Sequence, residues 1–183
     1  MRKICPLRRL DDIEKERKIG TGKLDAYAKL GGSAITANLY AVVHANEGTF
    51  RMTNDKNPRL RLESGGHGQA SLEIMNRHGA EYNIVKTYPN GVRVGNVPDH
   101  KKKFKKRGTN QSWFPKDWTD KDIRKAGEHV ARLKSNLNAL DGKTLWGVYK
   151  GVRTGVIRTN GKIATIFPDS NQTKLNGRKQ NGR

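Results

Sequence analysis

The chain has 183 residues, of which 37 are Lys or Arg and 17 are Asp or Glu, so its formal net charge at pH 7 is +20. With 33% hydrophobic residues it can build one core of modest size, and we expect one folded domain with extended tails. The single cysteine, Cys5, excludes an internal disulfide and a zinc site built from thiolates. No apolar run of about 18 residues predicts a membrane span, and the first residues lack the apolar segment of an export signal.

The charge indicates a polyanionic partner. A strongly basic protein concentrates polyanions at its surface, and its affinity for nucleic acid falls as salt is added. The basic residues are spread along the chain rather than gathered on one amphipathic helix, which disfavours a membrane surface. Nucleic acid, either RNA or DNA, is therefore the expected partner class. A basic surface that only keeps the protein soluble is the alternative.

The first half of the chain contains few regular elements. Apolar spacing predicts a short exposed helix or a frayed tail over residues 1–20 and a helix over residues 23–30. The apolar stretch 34–43 is compatible with either a helix or a strand. A polar loop is expected from there to the glycine-rich segment 65–68, and a short helix that ends at Gly79 follows.

The middle of the chain gives clearer signals. A Pro-Asn-Gly turn between residues 82–88 and 92–94 predicts a β-hairpin. Six of the seven residues in the run 101–107 are basic, and such a run repels itself, so we expect a mobile loop. A capping pattern at Thr119 precedes apolar residues at helical spacing and predicts a helix over residues 120–134 that packs on a sheet.

Three antiparallel strands are predicted near the C-terminus, over residues 145–149, 152–159 and 162–167, with an Asn-Gly turn before the last of them. The sequence after Pro168 has one apolar residue and is predicted to be disordered. Early helices, later antiparallel strands and the absence of a βαβ unit indicate an α+β domain, with one helix packed on an antiparallel sheet.

Histidines are the candidate catalytic groups. RNA carries its own nucleophile, the 2′-hydroxyl, so a protein that cleaves it needs a base, an acid and a cation for the developing charge. An imidazole with a pKa of about 6.5 can serve as either base or acid near neutral pH. The chain has five histidines, and its acidic residues do not follow metal-site spacing, so we predict a reaction without a metal or another cofactor.

His67 is the strongest single candidate. It lies between glycines in Gly-Gly-His-Gly, where the backbone can bend sharply and a phosphate can approach without meeting neighbouring Cβ atoms. It also precedes a predicted helix, whose free amide groups favour an anion. A glycine-rich turn with a merely polar histidine is the alternative.

Four segments together resemble the bacterial EndoU nuclease domain, which occurs in secreted polymorphic and contact-dependent toxins. They are GGHGQ (65–69), YPNGVRVGNV (88–97), QSWFPKDWT (111–119) and NGKIATIFP (160–168), and they cover roughly residues 58–169. The resemblance divides the chain into a helical, basic segment 1–57, a nuclease domain 58–169 and a disordered basic tail 170–183. It also implies an EndoU-like α+β fold.

The resemblance further implies two catalytic histidines and a lysine. His67 is one of the histidines; for the other, His100 is slightly favoured and His44, in a His-x-x-x-Gly context, is the alternative. The lysine falls in the run 101–107, where Lys103 and Lys106 are the candidates, although any one lysine there could simply hold the RNA backbone.

Three further residues correspond to substrate-binding positions. Ser112 occupies the place where relatives contact the pyrimidine base, and Thr165 and Phe167 form the terminal Thr-x-aromatic-Pro segment that supports the ribose or stacks. Relatives usually have tyrosine at the position of Phe167, so the ring face is kept and the hydroxyl is lost. Trp113, with the other aromatics before the predicted helix, is assigned to packing.

The implied activity is that of a metal-independent RNA endonuclease that cuts at uridine and leaves 2′,3′-cyclic phosphate and 5′-hydroxyl ends. The implied context is a monomeric toxin domain that acts on RNA, with tRNA and bulk messenger RNA as the alternatives, in the cytoplasm of a target cell or of its own cell. An acidic immunity protein is the implied partner. A non-catalytic RNA-binding module and a DNA nuclease are the alternative functions.

Overall fold

A computed structural model describes residues 35–173, which form an α+β fold with three helices, one short 3-10 turn and three small antiparallel sheets. The helices are α1 (Leu39–Asn46), α2 (Gln69–Arg77) and α3 (Asp120–Arg132). The strands are β1 (Thr49–Met52), β2 (Leu60–Ser64), β3 (Asn83–Thr87), β4 (Arg93–Asn96), β5 (Gln111–Trp113), β6 (Thr144–Tyr149), β7 (Val152–Thr159) and β8 (Lys162–Pro168). The sheets are β1–β2, β3–β4–β5 and β6–β7–β8, so the predicted fold class is confirmed.

The C-terminal sheet and α3 form the main core, as the sequence predicts. The helix begins with a capping box, in which the Thr119 amide donates to the Asp122 carboxylate over 3.1 Å and the Thr119 side chain accepts from the Asp122 amide. Its apolar side chains are fully buried in the same cluster as those of the sheet. At Gly127 a Cβ would lie 2.6 Å from Ile166 Cδ1, so the glycine lets helix and sheet approach closely.

The structure decides one open assignment and adds strands that the sequence did not predict. Residues 39–43 of the stretch that the sequence left open between helix and strand belong to helix α1, whose N-terminus is capped by Asn38. The predicted polar loop before residue 65 contains the β1–β2 hairpin, and β5 adds a third strand to the predicted 82–94 hairpin. These strands have only three to five residues each, too few for a strong periodic signal.

The described residues before position 58 belong to the same folded unit as the rest. Ala37, Val42 and Ala45 are buried in one cluster with residues of α3 and β8. The helix predicted over residues 23–30 lies outside the described residues. None of the helices within residues 35–173 is long and apolar enough to cross a membrane.

The chain remains ordered beyond Pro168, where the sequence predicts disorder. Asp169 is buried in an ion pair with Arg153, and the Gln172 side chain donates to the Arg153 carbonyl over 3.0 Å. These contacts tie the segment 169–173 to β7. Residues 174–183, the remainder of the predicted tail, lie outside the described part of the chain.

Candidate active site

Backbone hydrogen bonds dock the end of helix α1 on the glycine-rich loop. The amides of residues 66–68 donate to the carbonyl oxygens of residues 44–46 over 2.6 to 3.1 Å. The last carbonyls of a helix lack partners inside the helix, and here the loop satisfies them. The docking fixes His44 and His67, which are distant in sequence, on adjacent backbone segments.

Gly65 makes this close approach possible. Its φ of +68° lies in the left-handed region, which disfavours residues with a side chain. A Cβ at this position would overlap the carbonyl oxygen of His44 and would lie 2.9 Å from Nε2 of its ring. The first glycine of the motif is therefore required for the contact with His44, and not only for bending the loop.

We expect Gly65→Ala to lower the free energy of unfolding by about 2–5 kcal/mol, because backbone strain and steric overlap act together. Gly79→Ala is the matched control, since Gly79 has a φ of +66° but nothing within 4 Å of its Cβ position. It should cost about 1–2 kcal/mol from strain alone. Urea unfolding measures both values. Equal losses in the two variants would contradict the proposed role of the Gly65–His44 contact.

His67 lies at the centre of the site and is held in one tautomer. Only 7% of its surface is exposed, and its Nδ1 donates to the Ser112 carbonyl oxygen over 2.7 Å. The neutral ring therefore carries its lone pair on Nε2. Burial, followed by the positive charge of Lys105, holds the pKa of His67 well below its usual range.

His44 is the more accessible partner. Its ring is half-buried, and its Nδ1 lies 3.2 Å from the Thr49 hydroxyl oxygen. Burial lowers its pKa, and the charges of Lys102 and Lys105 lower it further. Positive charges on His44 and on His100 also lower the pKa of His67.

Lys105 is the lysine whose charge lowers the pKa of both His44 and His67, whereas the sequence pointed to Lys103 or Lys106. Its Nζ donates to Gln111 Oε1 over 2.6 Å, and burial lowers its pKa to about 8. Lys103 is exposed, and the charge of Lys106 acts on His100. The basic run is thus not only a mobile, solvated loop, because its 3-10 turn directs one ammonium group inward.

Gln111 connects this lysine to the glycine-rich loop. Its side-chain oxygen accepts from Lys105, and its side-chain nitrogen donates to the carbonyl oxygens of Gly65 and Gly66 over 3.3 and 3.0 Å. Sequence reasoning did not select Lys105 or Gln111. A buried glutamine two residues before the core residue Trp113, on the same face of a strand, is a signal that could have indicated Gln111.

His100, which the sequence slightly favoured as the second histidine, is fully buried. Its Nδ1 accepts a hydrogen bond from the Lys102 amide over 2.8 Å, and burial lowers its pKa to about 4. The residue holds the start of the basic run in place. Its ring has no exposed surface, whereas the ring of His44 is half-buried.

The three predicted substrate-binding residues lie on β5 and β8, and two of them, Ser112 and Phe167, contact His67. The Ser112 hydroxyl donates to the Pro168 carbonyl over 2.7 Å and joins β5 to β8. The Phe167 ring lies 5.9 Å from the His67 ring. Thr165 is half-buried and pairs with Ile157 on the neighbouring strand. Trp113 is fully buried, in agreement with its assignment to packing.

Comparison with known proteins identifies the family. The family described as bacterial EndoU nuclease matches residues 44–170, a range that begins at His44 and includes His67 and Lys105. Comparisons with curated proteins and with solved structures gave no significant match. Within residues 35–173 no three His, Cys, Asp or Glu side chains form a cluster that could hold a metal ion. The chain belongs to the bacterial EndoU nuclease family.

Proposed function

We propose that this nuclease cleaves RNA, with the 2′-hydroxyl of the substrate as nucleophile and without a metal ion. The products are a 2′,3′-cyclic phosphate and a 5′-hydroxyl. The observation that carries the proposal is the docking of α1 on the glycine-rich loop, which joins His44 and His67 beside Lys105. These three side chains supply the base, the acid and the cation that the reaction needs.

His67 is the general base. Its Nδ1–H is held by the Ser112 carbonyl, so Nε2 carries the lone pair that takes the 2′-hydroxyl proton. The oxygen then attacks the adjacent phosphorus to form a pentacoordinate phosphorane. A low pKa keeps this ring neutral, as a base requires, at the pH where the reaction proceeds.

His44 is the general acid. It is less buried than His67 and its pKa is lowered less, so a single proton shared by the pair resides mainly on His44. It donates that proton to the 5′-oxygen as the bond from phosphorus to that oxygen breaks. The cyclic phosphate and the free 5′-hydroxyl then leave.

Lys105 and the neighbouring strands stabilise and position the substrate. The half-buried ammonium group faces the charge that develops on the phosphorane oxygens, where low polarity strengthens the attraction. Phe167 offers a ring face to the sugar or base. The Ser112 hydroxyl donates to the Pro168 carbonyl oxygen, so the lone pairs of the hydroxyl oxygen can accept from uracil N3–H. This contact supports a preference for uridine over cytidine.

The test is cleavage of a uridine-containing oligonucleotide in excess EDTA, with analysis of the product ends. We expect 2′,3′-cyclic phosphate ends, and no cut when 2′-deoxyuridine replaces the nucleotide at the cleavage position. Cutting of the deoxy substrate would indicate a DNA nuclease mechanism. Binding without any cutting would favour an RNA-binding module, and dependence on a divalent metal would refute the metal-free reaction.

The lowered histidine pKa values predict an acidic optimum for kcat/KM. The rate falls at low pH as His67 becomes protonated and falls at high pH as His44 loses its proton. Because both pKa values lie below about 6.5, the maximum should also lie below that pH. A kcat/KM profile on a uridine dinucleotide measures it, and a maximum above pH 7 would contradict the assignment.

We also propose that the domain is a bacterial toxin, acting on cytoplasmic RNA and blocked by an acidic immunity protein. The net charge of +20 and the exposed lysines at residues 101–103 support this proposal, since an acidic partner would associate rapidly with such a surface. The association rate with an acidic inhibitor should then fall steeply as salt is added.

A further inference from the structure

The face of the β6–β7–β8 sheet that helix α3 does not cover carries aromatic side chains next to the candidate active site. Helix α3 covers the opposite face, where a Cβ at Gly147 would lie 2.5 Å from Leu133 and 3.0 Å from Val130. Side chains alternate between the two faces of a strand. Trp146 and Phe167 therefore point to the face that α3 does not cover.

Two aromatic rings on this face form a continuous path from His67. Trp146, Gly155 and Phe167 are register partners across β6, β7 and β8. The Phe167 ring lies 5.9 Å from His67, and the Trp146 ring meets Phe167 edge to face with centroids 5.6 Å apart. Trp146 is thus one ring farther from the reacting phosphate than Phe167.

Gly155 allows both rings to lie against the sheet. A Cβ at this position would be 2.7 Å from the Phe167 ring and 2.8 Å from the Trp146 ring. Gly155 itself is buried under the two rings, whereas Trp146 and Phe167 are only half-buried. The sheet therefore fixes the orientation of two aromatic surfaces that solvent still reaches.

A cation completes this surface. The Arg153 guanidinium lies 4.7 Å above the Trp146 ring, and its Nε donates to the buried Asp169 carboxylate over 2.7 Å. The ion pair holds the guanidinium plane in position. Indole rings and guanidinium planes are the surfaces on which unpaired RNA bases stack, and the guanidinium also attracts phosphate.

From this arrangement we propose that Trp146 and Arg153 form a second base-binding subsite, which holds the nucleotide next to the one at the scissile position. The occupant is an unpaired base of the same RNA strand. The proposal rests on the proposed RNA-cleaving function and adds a contact beyond Phe167. It explains why the buried Asp169 carboxylate holds Arg153 over the Trp146 ring.

The test compares oligonucleotides with and without a base at the neighbouring position. Three substrates are used: one with all bases, one with an abasic residue 5′ of the scissile uridine and one with an abasic residue 3′ of it. In the unmodified protein, kcat/KM should fall about tenfold for one of the two abasic substrates, which is typical of a lost stacking contact. In Trp146→Leu that difference should shrink to about twofold or less. The variant has no indole ring on which the base can stack, so removing the base changes little.

Val148→Ala is the matched control, since Val148 lies on the same strand and face and is 42% exposed. It should retain the tenfold difference, and Trp146→Phe should retain part of it. An equal difference in Trp146→Leu and in the unmodified protein would overturn the subsite. Absence of any cleavage of the substrate with all bases would instead overturn the proposed function, so the two failures are distinguishable.

Discussion

Replacing His67 by alanine should lower kcat/KM for a uridine dinucleotide by about 10³-fold or more, within the range typical of a lost general base. The variant keeps the backbone amide that docks on Ala45, so the loop should stay in place. The loss should therefore appear in turnover, and binding of an uncleavable 2′-deoxy substrate should change little. Rapid-quench assays at saturating RNA, together with binding of the deoxy analogue, separate the two effects.

A second substrate distinguishes the general acid from the general base. In a substrate with sulfur at the 5′-bridging position, the leaving thiolate needs no proton from an acid. His44→Ala should therefore cleave this substrate nearly as fast as the unmodified protein does, while remaining about 10²–10⁴-fold slower on normal RNA. His67→Ala should stay slow on both substrates, because the 2′-hydroxyl still requires a base. Recovery of His67→Ala, and not of His44→Ala, would reverse the assignment.

His100→Asn provides the control for the second histidine. An asparagine side-chain oxygen can accept the Lys102 amide hydrogen bond that His100 Nδ1 accepts. The variant should keep both limbs of the kcat/KM profile, even where the packing change lowers stability. Loss of the high-pH limb in His100→Asn would show that His100, and not His44, supplies the proton.

The sequence is sufficient to predict the elements whose signals are local. The cap at Thr119 and the apolar spacing after it define α3, and the Asn160-Gly161 pair has the positive φ angles of 51° and 70° that its turn requires. The glycines around His67 likewise indicate a backbone that approaches other groups closely. Each of these signals lies within a few residues of the structure that it predicts.

Sequence patterns fail where the outcome depends on distant contacts. The lysine that turns inward is selected by Gln111, whose strand pairs with β4. The proposed role of His44 depends on hydrogen bonds between the end of α1 and a loop about twenty residues later. Residues close to His100 match the family segments better than those close to His44, yet His100 is fully buried. Local similarity therefore does not establish which side chains meet.

Lys105→Ala should lower kcat by about 10²–10³-fold, because a positive charge next to the developing phosphorane is worth most where water is excluded. Lys103→Ala removes the same charge from the same basic run, but from an exposed position. It should weaken the salt dependence of RNA binding and change kcat by less than about fivefold. Similar losses of kcat in both variants would mean that the run acts only through its overall charge.

For Lys105→Ala we also expect a change that does not depend on turnover, in the pKa of His67. The Lys105 ammonium group lowers the pKa of His67, so its removal should raise that pKa toward the usual value for histidine. The low-pH limb of the kcat/KM profile reports protonation of His67, and it should move to higher pH in Lys105→Ala. Lys103→Ala should leave this limb in place. NMR titration of the His67 ring measures the shift directly, and an unchanged pKa in Lys105→Ala would show that the ammonium group does not face the imidazole in solution.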